Sequence, residues 1–131
     1  MKTELHLSPE LIDEVAQLLS RSVSPKAGAI VTFCGVVRAE ESGSTITAID
    51  YESFDAMARH QFQLLFDEIA RRWPVESIRL IHRTGRVPVN EASLWVEVVS
   101  SHRAEAFAAC QFLIDQMKLK VPIWKNARHQ Q

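Results

Sequence analysis

Apolar residues recur at helical spacing in three stretches of the chain and alternate or cluster in four shorter ones. Phe62, Leu65, Phe66, Ile69 and Trp73 fall on one helical face; Asp55 is placed to cap that helix and Pro74 to stop it. Ala106, Phe107, Cys110, Ile114 and Met117 share the face of another helix, which Ser101 caps and Pro122 ends. Near the start, Ser8-Pro9-Glu10 supplies an N-cap, a proline at the first helical position and an acid in the first turn. With Leu11, Val15, Leu18 and Leu19 following, it predicts a helix over Pro9–Ser20. Gly28–Arg38 (GAIVTFCGVVR) is rich in β-branched and aromatic residues and predicts a buried strand. Polar Ala39–Ser44 is a loop, and the alternation in Thr45–Phe54 predicts a second strand, a candidate partner of the first. Val75–Arg83, a turn at Thr84-Gly85, and Ser93–Ser100 complete the pattern. The order α-β-β-α-β-β-α with short connections implies an α+β fold, a mostly antiparallel sheet with helices packed on it. No repeat or internal boundary interrupts it, so residues 1–131 read as a single domain.

Charge adds to this picture through its distribution. The chain carries 16 acids and 15 bases, a net charge of −1, which argues against a strongly basic polyanion binder. No acid follows Asp115, however, while Lys118, Lys120, Lys125 and Arg128 do. These bases alternate with Met117, Leu119, Val121, Pro122, Ile123 and Trp124, more apolar surface than a solvated tail would carry, so the segment is expected to pack with some lysines facing a pocket. No apolar run approaches the ~18–20 residues that span a bilayer, and MKTELHLSPE lacks a basic region followed by an apolar one. The expectation is a cytoplasmic protein with no membrane association. Cys34 and Cys110 are far apart in apolar surroundings, without zinc spacing, and read as core thiols.

The residues that could carry chemistry are nearly all cationic. His102 and Arg103 would sit in a first helical turn, where free N–H groups and the helix dipole favour an anion and disfavour a cation; an anionic ligand would account for the pair. A solvated pair at a helix end is the plainer alternative. Lys118 and Lys125 have apolar neighbours, a setting in which a lysine can serve as acid, base or nucleophile, or simply snorkel. Arg38, at a strand end, is placed to reach a phosphate bidentately. His82-Arg83 repeats the His-Arg pair but carries less weight, because strand alternation sends the two to opposite faces. No Walker, GxGxxG, GxSxG or HExxH motif occurs. These residues point to a basic pocket for a small anion or an anionic chain terminus.

Five stretches, GAIVTFCGVVR, YESFDAMA, IHRTGRVPV, VVSSHRAEAF and IDQMKLKVPIWK, stand in order from residue 28 onward. On these the chain resembles the catalytic (large) subunits of molybdopterin synthase. The resemblance implies an α/β hammerhead-like fold, a homodimer, and one small ubiquitin-like sulfur carrier bound per protomer in a heterotetramer. It implies that the carrier's C-terminal Gly-Gly thiocarboxylate enters a pocket and gives two sulfurs in turn to cyclic pyranopterin monophosphate, forming the molybdopterin dithiolene of molybdenum cofactor biosynthesis. Neither a cofactor nor a metal is needed for that sulfurtransferase step. Carried over residue by residue, Val36, Val37 and Arg38 belong to the substrate-binding strand end, His102 and Arg103 to the pterin-phosphate contact, and Asn126 and Ala127 to the substrate edge. Lys118 and Lys125 are then the catalytic lysines and also touch substrate.

Two departures stand out. Where the family usually carries a glutamate two positions beyond the second lysine, this chain has Ala127; where it usually has glycine before Glu91, this chain has Asn90, a residue that tolerates positive φ. The Ala127 change leaves an alternative open, a relative that binds the carrier without turnover. A single-stranded nucleic-acid binder using the tail and Trp124 is a third reading, disfavoured by the acidic remainder.

Overall fold

The computed structural model describes residues 1–129. Eight strands and three helices follow one another as β1 (Lys2–Ser8), α1 (Glu14–Leu19), β2 (Ala29–Val36), β3 (Glu40–Glu41), β4 (Ser44–Ser53), α2 (Asp55–Arg72), β5 (Val75–Arg83), β6 (Gly85–Pro88), β7 (Ala92–Ser100), α3 (Arg103–Lys120) and β8 (Ile123–His129). They build two sheets. The first has the order β1-β5-β7-β2, with β1 parallel to β5 and the other pairings antiparallel. In the second, β4 is central: β6 and β8 pair with it antiparallel, and the two-residue β3 forms a hairpin at its start.

The first sheet carries the main core. Alternation on β5 and β7 turns Ile78, Leu80, Leu94, Val96 and Val98 toward α2 and α3, where they meet Phe62, Phe66, Ile69, Ala109 and Leu113. Strand β7 is buried on both faces. Its outer face holds Glu97, only 2 % exposed, which accepts bonds from Arg79 Nε (3.0 Å), Arg79 Nη2 (3.0 Å) and Arg21 Nε (2.7 Å). Arg79 lies over the ring of Trp95 and also donates to the backbone oxygen of Gln17 (2.9 Å) and to Ser20 Oγ (3.0 Å). This network ties α1 and the residues after it to the sheet. A smaller core of Val37, Ile46, Ile49 and Val87 belongs to the second sheet.

The α+β class, α2, α3 and the strands at 75–83 and 92–100 follow the sequence expectation. Elsewhere the structure differs from it. Ser8, expected as the cap of a helix opening at Pro9, instead ends β1, and the helix is only Glu14–Leu19, capped by Asp13, whose Oδ1 accepts from Ala16 N at 3.0 Å. Its expected core residues Leu11, Val15, Leu18 and Leu19 are exposed; Ile12 is the one that is buried. Strand β4 does not pair with β2 but lies in the other sheet. Strand β2 is only half buried, and Cys34 with it, whereas Cys110 is a core thiol. Phe54 and His102, rather than Asp55 and Ser101, stand at the N-caps of α2 and α3, neither making a side-chain capping bond. Phe107, expected on the core face of α3, is exposed. The basic tail does pack, as β8.

Candidate functional site

The chain passes between the two sheets at 37–39, 84 and 89–91 and enters the second sheet from α3 at 121–122, and a cleft of about 780 Å³ opens where the sheets meet. Its volume is in the range typical of small-molecule sites. The first sheet contributes Phe33 and Gly35 from β2, His82 from β5 and Leu94 from β7; these continue the rows that farther along face the helices. The carboxyl end of α3 brings Met117 and Lys118. The second sheet brings Tyr51 and Glu52 from β4 and Trp124, Lys125 and Asn126 from β8.

Register explains this convergence. Strand β8 pairs with β4 so that Lys125 stands opposite Tyr51, and Trp124 opposite Glu52. The Trp124 ring packs edge-on to Phe54, with centroids 4.9 Å apart. Lys125 Nζ lies 2.9 Å from Glu41 Oε1. The bond from Lys125, reinforced by its charge and that of Arg38, holds the Glu41 carboxyl below its ordinary range despite some desolvation. Lys118 occupies the last turn of α3, the helix end whose carbonyls favour a cation. On the cleft floor, His82 is 6 % exposed, its Nδ1 2.7 Å from the carbonyl oxygen of Arg83 and its ring 5.0 Å from that of Tyr51. Burial pushes its pKa below the ordinary histidine value, against the bond to Arg83.

Of the residues expected at the site, Val36, Lys118, Lys125 and Asn126 line the cleft. Val37 does not: it is buried in the second core, where its N–H and C=O bond to Glu91 and Asn90. Ala127, opposite Ile49, packs against that same core. Arg38 lines a separate shallow hollow with Ala39, Glu40, Ser42 and Gly43, linked to the cleft through Glu41. His102 and Arg103 are exposed at the far end of α3. Fifteen residues of helix separate Arg103 from Lys118, an axial distance of about 22 Å. That helix start is fixed by Gly28: a Cβ there would stand 2.2 Å from the Ser101 carbonyl oxygen. Asn90 adopts φ 75°, as its tolerance of that region allows. Among the described residues, no group of three or more His, Cys, Asp or Glu is arranged to hold a metal, and no helix is long and apolar enough to cross a membrane.

Sequence reasoning missed Phe33, Tyr51, Glu52, His82, Met117 and Trp124 as cleft residues. For His82 the sequence carried half of the signal. Alternation does send His82 and Arg83 to opposite faces, with Arg83 Nη1 bonded to Glu91 at 2.7 Å, but the His82 face is the cleft.

Comparison with known proteins bears on the same stretches. A family model described as MoaE protein matches residues 6–120. The chain belongs to the MoaE family. Among curated MoaE relatives, the chain is 41% identical over 115 residues to the molybdopterin synthase catalytic subunit of Homo sapiens, covering 88% of this chain and 60% of that one. To the subunit of the same name from Thermoplasma volcanium it is 43% identical over 109 residues, 83% of this chain and 80% of that one. The chain thus spans less than two-thirds of the length of the mammalian relatives it matches. Among solved structures it resembles molybdopterin synthase from Staphylococcus aureus, with a TM-score of 0.86 and 29% identity over 95% of this chain and 90% of that one.

Proposed function

We propose that this MoaE-family chain is the catalytic subunit of a molybdopterin synthase, a cytoplasmic sulfurtransferase. Its substrates are a thiocarboxylated ubiquitin-like carrier and cyclic pyranopterin monophosphate. The observation that carries this reading is the convergence of Lys118 and Lys125, from a helix end and a neighbouring strand, on one aromatic-lined cleft between two sheets. A slender chain end such as a Gly-Gly tail can enter such a cleft, and two ammonium groups there match its terminal thiocarboxylate.

In this reading Lys118 polarises the carrier's terminal carbonyl and donates a proton to the leaving oxygen on the pterin. Lys125, held by Glu41, stabilises the charge that develops. Val36 and Asn126 border the bound substrate, and Arg38 supplies positive charge at the rim. Val37 and Ala127 act through packing, because both side chains belong to the second core. His102 and Arg103 cannot reach a small ligand at Lys118 of their own chain across about 22 Å. They hold the pterin phosphate in the cleft of a second protomer, which gives the homodimer a catalytic purpose; one carrier per protomer completes a heterotetramer.

The test is single-turnover conversion with purified thiocarboxylated carrier, comparing wild type with Lys118→Ala. Dithiolene product from wild type, reduced at least a hundredfold in the variant, is the expected result for loss of a proton donor (about 10²–10⁴). No product from wild type, with carrier binding intact, overturns the synthase reading in favour of a carrier-binding relative without turnover.

A further inference from the structure

Sulfur transfer from a thiocarboxylate creates a need for water. Once the sulfur has bonded to a pterin carbon, the carrier's terminal carbonyl is joined to the pterin through a thioester. Freeing the sulfur requires water to add to that carbonyl and the C–S bond to break. The carrier then leaves as a carboxylate and the sulfur stays on the pterin. The attacking water must lose a proton, and an ammonium can donate but not accept one. Lys125 Nζ is paired with Glu41 Oε1 at 2.9 Å.

His82 has the geometry for that proton. It continues the Ile78–Leu80 row of β5 to the cleft floor, between Leu94 on β7 and Tyr51 on β4. Its Nδ1 lies 2.7 Å from the Arg83 carbonyl oxygen. A carbonyl only accepts, so Nδ1 carries the hydrogen and Nε2 the lone pair. Among the described residues Nε2 has no protein partner, nor is it one of the unpartnered polar atoms sealed from solvent. The Tyr51 ring, edge-on at 5.0 Å, fixes the imidazole plane. An imidazole oriented through one nitrogen, with the other open to the cleft, is the arrangement of a general base.

We propose that His82 is the base that releases the sulfur, an assignment that rests on the sulfur-transfer reading above. Nε2 takes a proton as the water oxygen bonds to the carrier's terminal carbonyl. The C–S electron pair departs onto the pterin sulfur, which receives that proton from the imidazolium. The second proton of the water leaves to solvent as the carrier's carboxyl ionises. Burial keeps the imidazole neutral and ready to accept. The other titratable or charged groups facing it are Tyr51 and Glu52 on β4, Lys118 on α3 and Lys125 on β8; its neighbour Arg83 is turned away to Glu91.

The experiment follows the carrier by intact mass during single turnover, across the acid-to-neutral range, in wild type and His82→Asn. Asparagine keeps a donor for the Arg83 carbonyl and lacks the distal lone pair. The expected result is accumulation of the carrier–pterin thioester, with release slowed about 10²–10⁴-fold while sulfur attachment proceeds. Wild-type release should rise with pH through one ionisation below the ordinary histidine value, a rise the variant lacks. Release from the variant at the wild-type rate overturns the assignment alone, as does equal slowing of attachment and release. No product from wild type overturns both it and the reading beneath it. Should His82→Asn fail to fold, nitrogen NMR of wild type decides: a neutral ring protonated on Nδ1 supports the assignment, and protonation on Nε2 or an imidazolium at neutral pH overturns it.

Discussion

Replacing Glu97 by alanine should destabilise this protein more than any exposed charge change. The carboxylate is 2 % exposed and receives three guanidinium bonds. Its removal strands Arg79, whose side chain is 13 % exposed, and frees Arg21, at 24 %. Breaking a buried pair from one side costs about 3–5 kcal/mol. The lower end applies, because Arg79 keeps the Gln17 oxygen, Ser20 Oγ and the Trp95 face. For 131 residues the unfolding entropy is about 0.28 kcal/mol/K, so a loss of about 3 kcal/mol lowers Tm by about 11 °C. Calorimetry at neutral pH measures this directly. Glu97→Leu combined with Arg79→Met should recover most of the loss, since the apolar pair strands no buried charge and Arg21, whose side chain is 24 % exposed, can turn to solvent. A fall in Tm of less than about 4 °C for Glu97→Ala, or no recovery in the double variant, would refute the reasoning.

Two further outcomes are expected. Asn90 stands at φ 75°, so Asn90→Ala should cost about 1 kcal/mol while Asn90→Gly is neutral or stabilising, read as the difference in urea midpoints. Lys125 is the leading cause of the lowered Glu41 pKa, so the pair's contribution is present above the unfolded-state value and is lost as pH falls through the folded one. Lys125→Met should return the Glu41 carboxyl toward its ordinary value in a carbon-detected NMR titration; an unmoved titration curve would show that Lys125 does not set it.

The elements legible in the sequence are those whose burial imposes a strong period. Phe62, Leu65, Phe66 and Ile69 mark α2, and the central strands β5 and β7 declare themselves through dense apolar runs. What escaped was exposed or nonlocal. Strand β1 half buries only Leu5, Leu7 and Ser8, and its pairing partner β5 lies about seventy residues away. Ser8-Pro9-Glu10 imitates a helix start where the chain in fact leaves a strand, and the apolar residues beyond it, Ile12 excepted, stay in solvent. Strand β6 has four residues with proline at its end, on the edge of a sheet. Strand β8 is a charged ribbon whose strand character comes from pairing with β4. At the site, oddly placed charge drew attention to Lys118, Lys125, Arg38, His102 and Arg103. The division of His102 and Arg103 from Lys118 between the two ends of α3 depends on helix length alone and could have been measured from the sequence. That His82 faces the cleft could not, because alternation separates two faces without saying what lies beyond either.

The two cores divide the labour of the molecule unequally. From β8 the main core draws only on partly buried Ile123, yet β8 supplies Trp124, Lys125 and Asn126 to the cleft. The wall of the cleft that β8 builds therefore stands largely apart from the main core, although Leu94, Met117 and Val121 serve both core and cleft. Damage confined to the last strand would leave a molecule that melts almost normally and has lost one wall of its cleft, so a healthy melting curve certifies the scaffold and says little about the site.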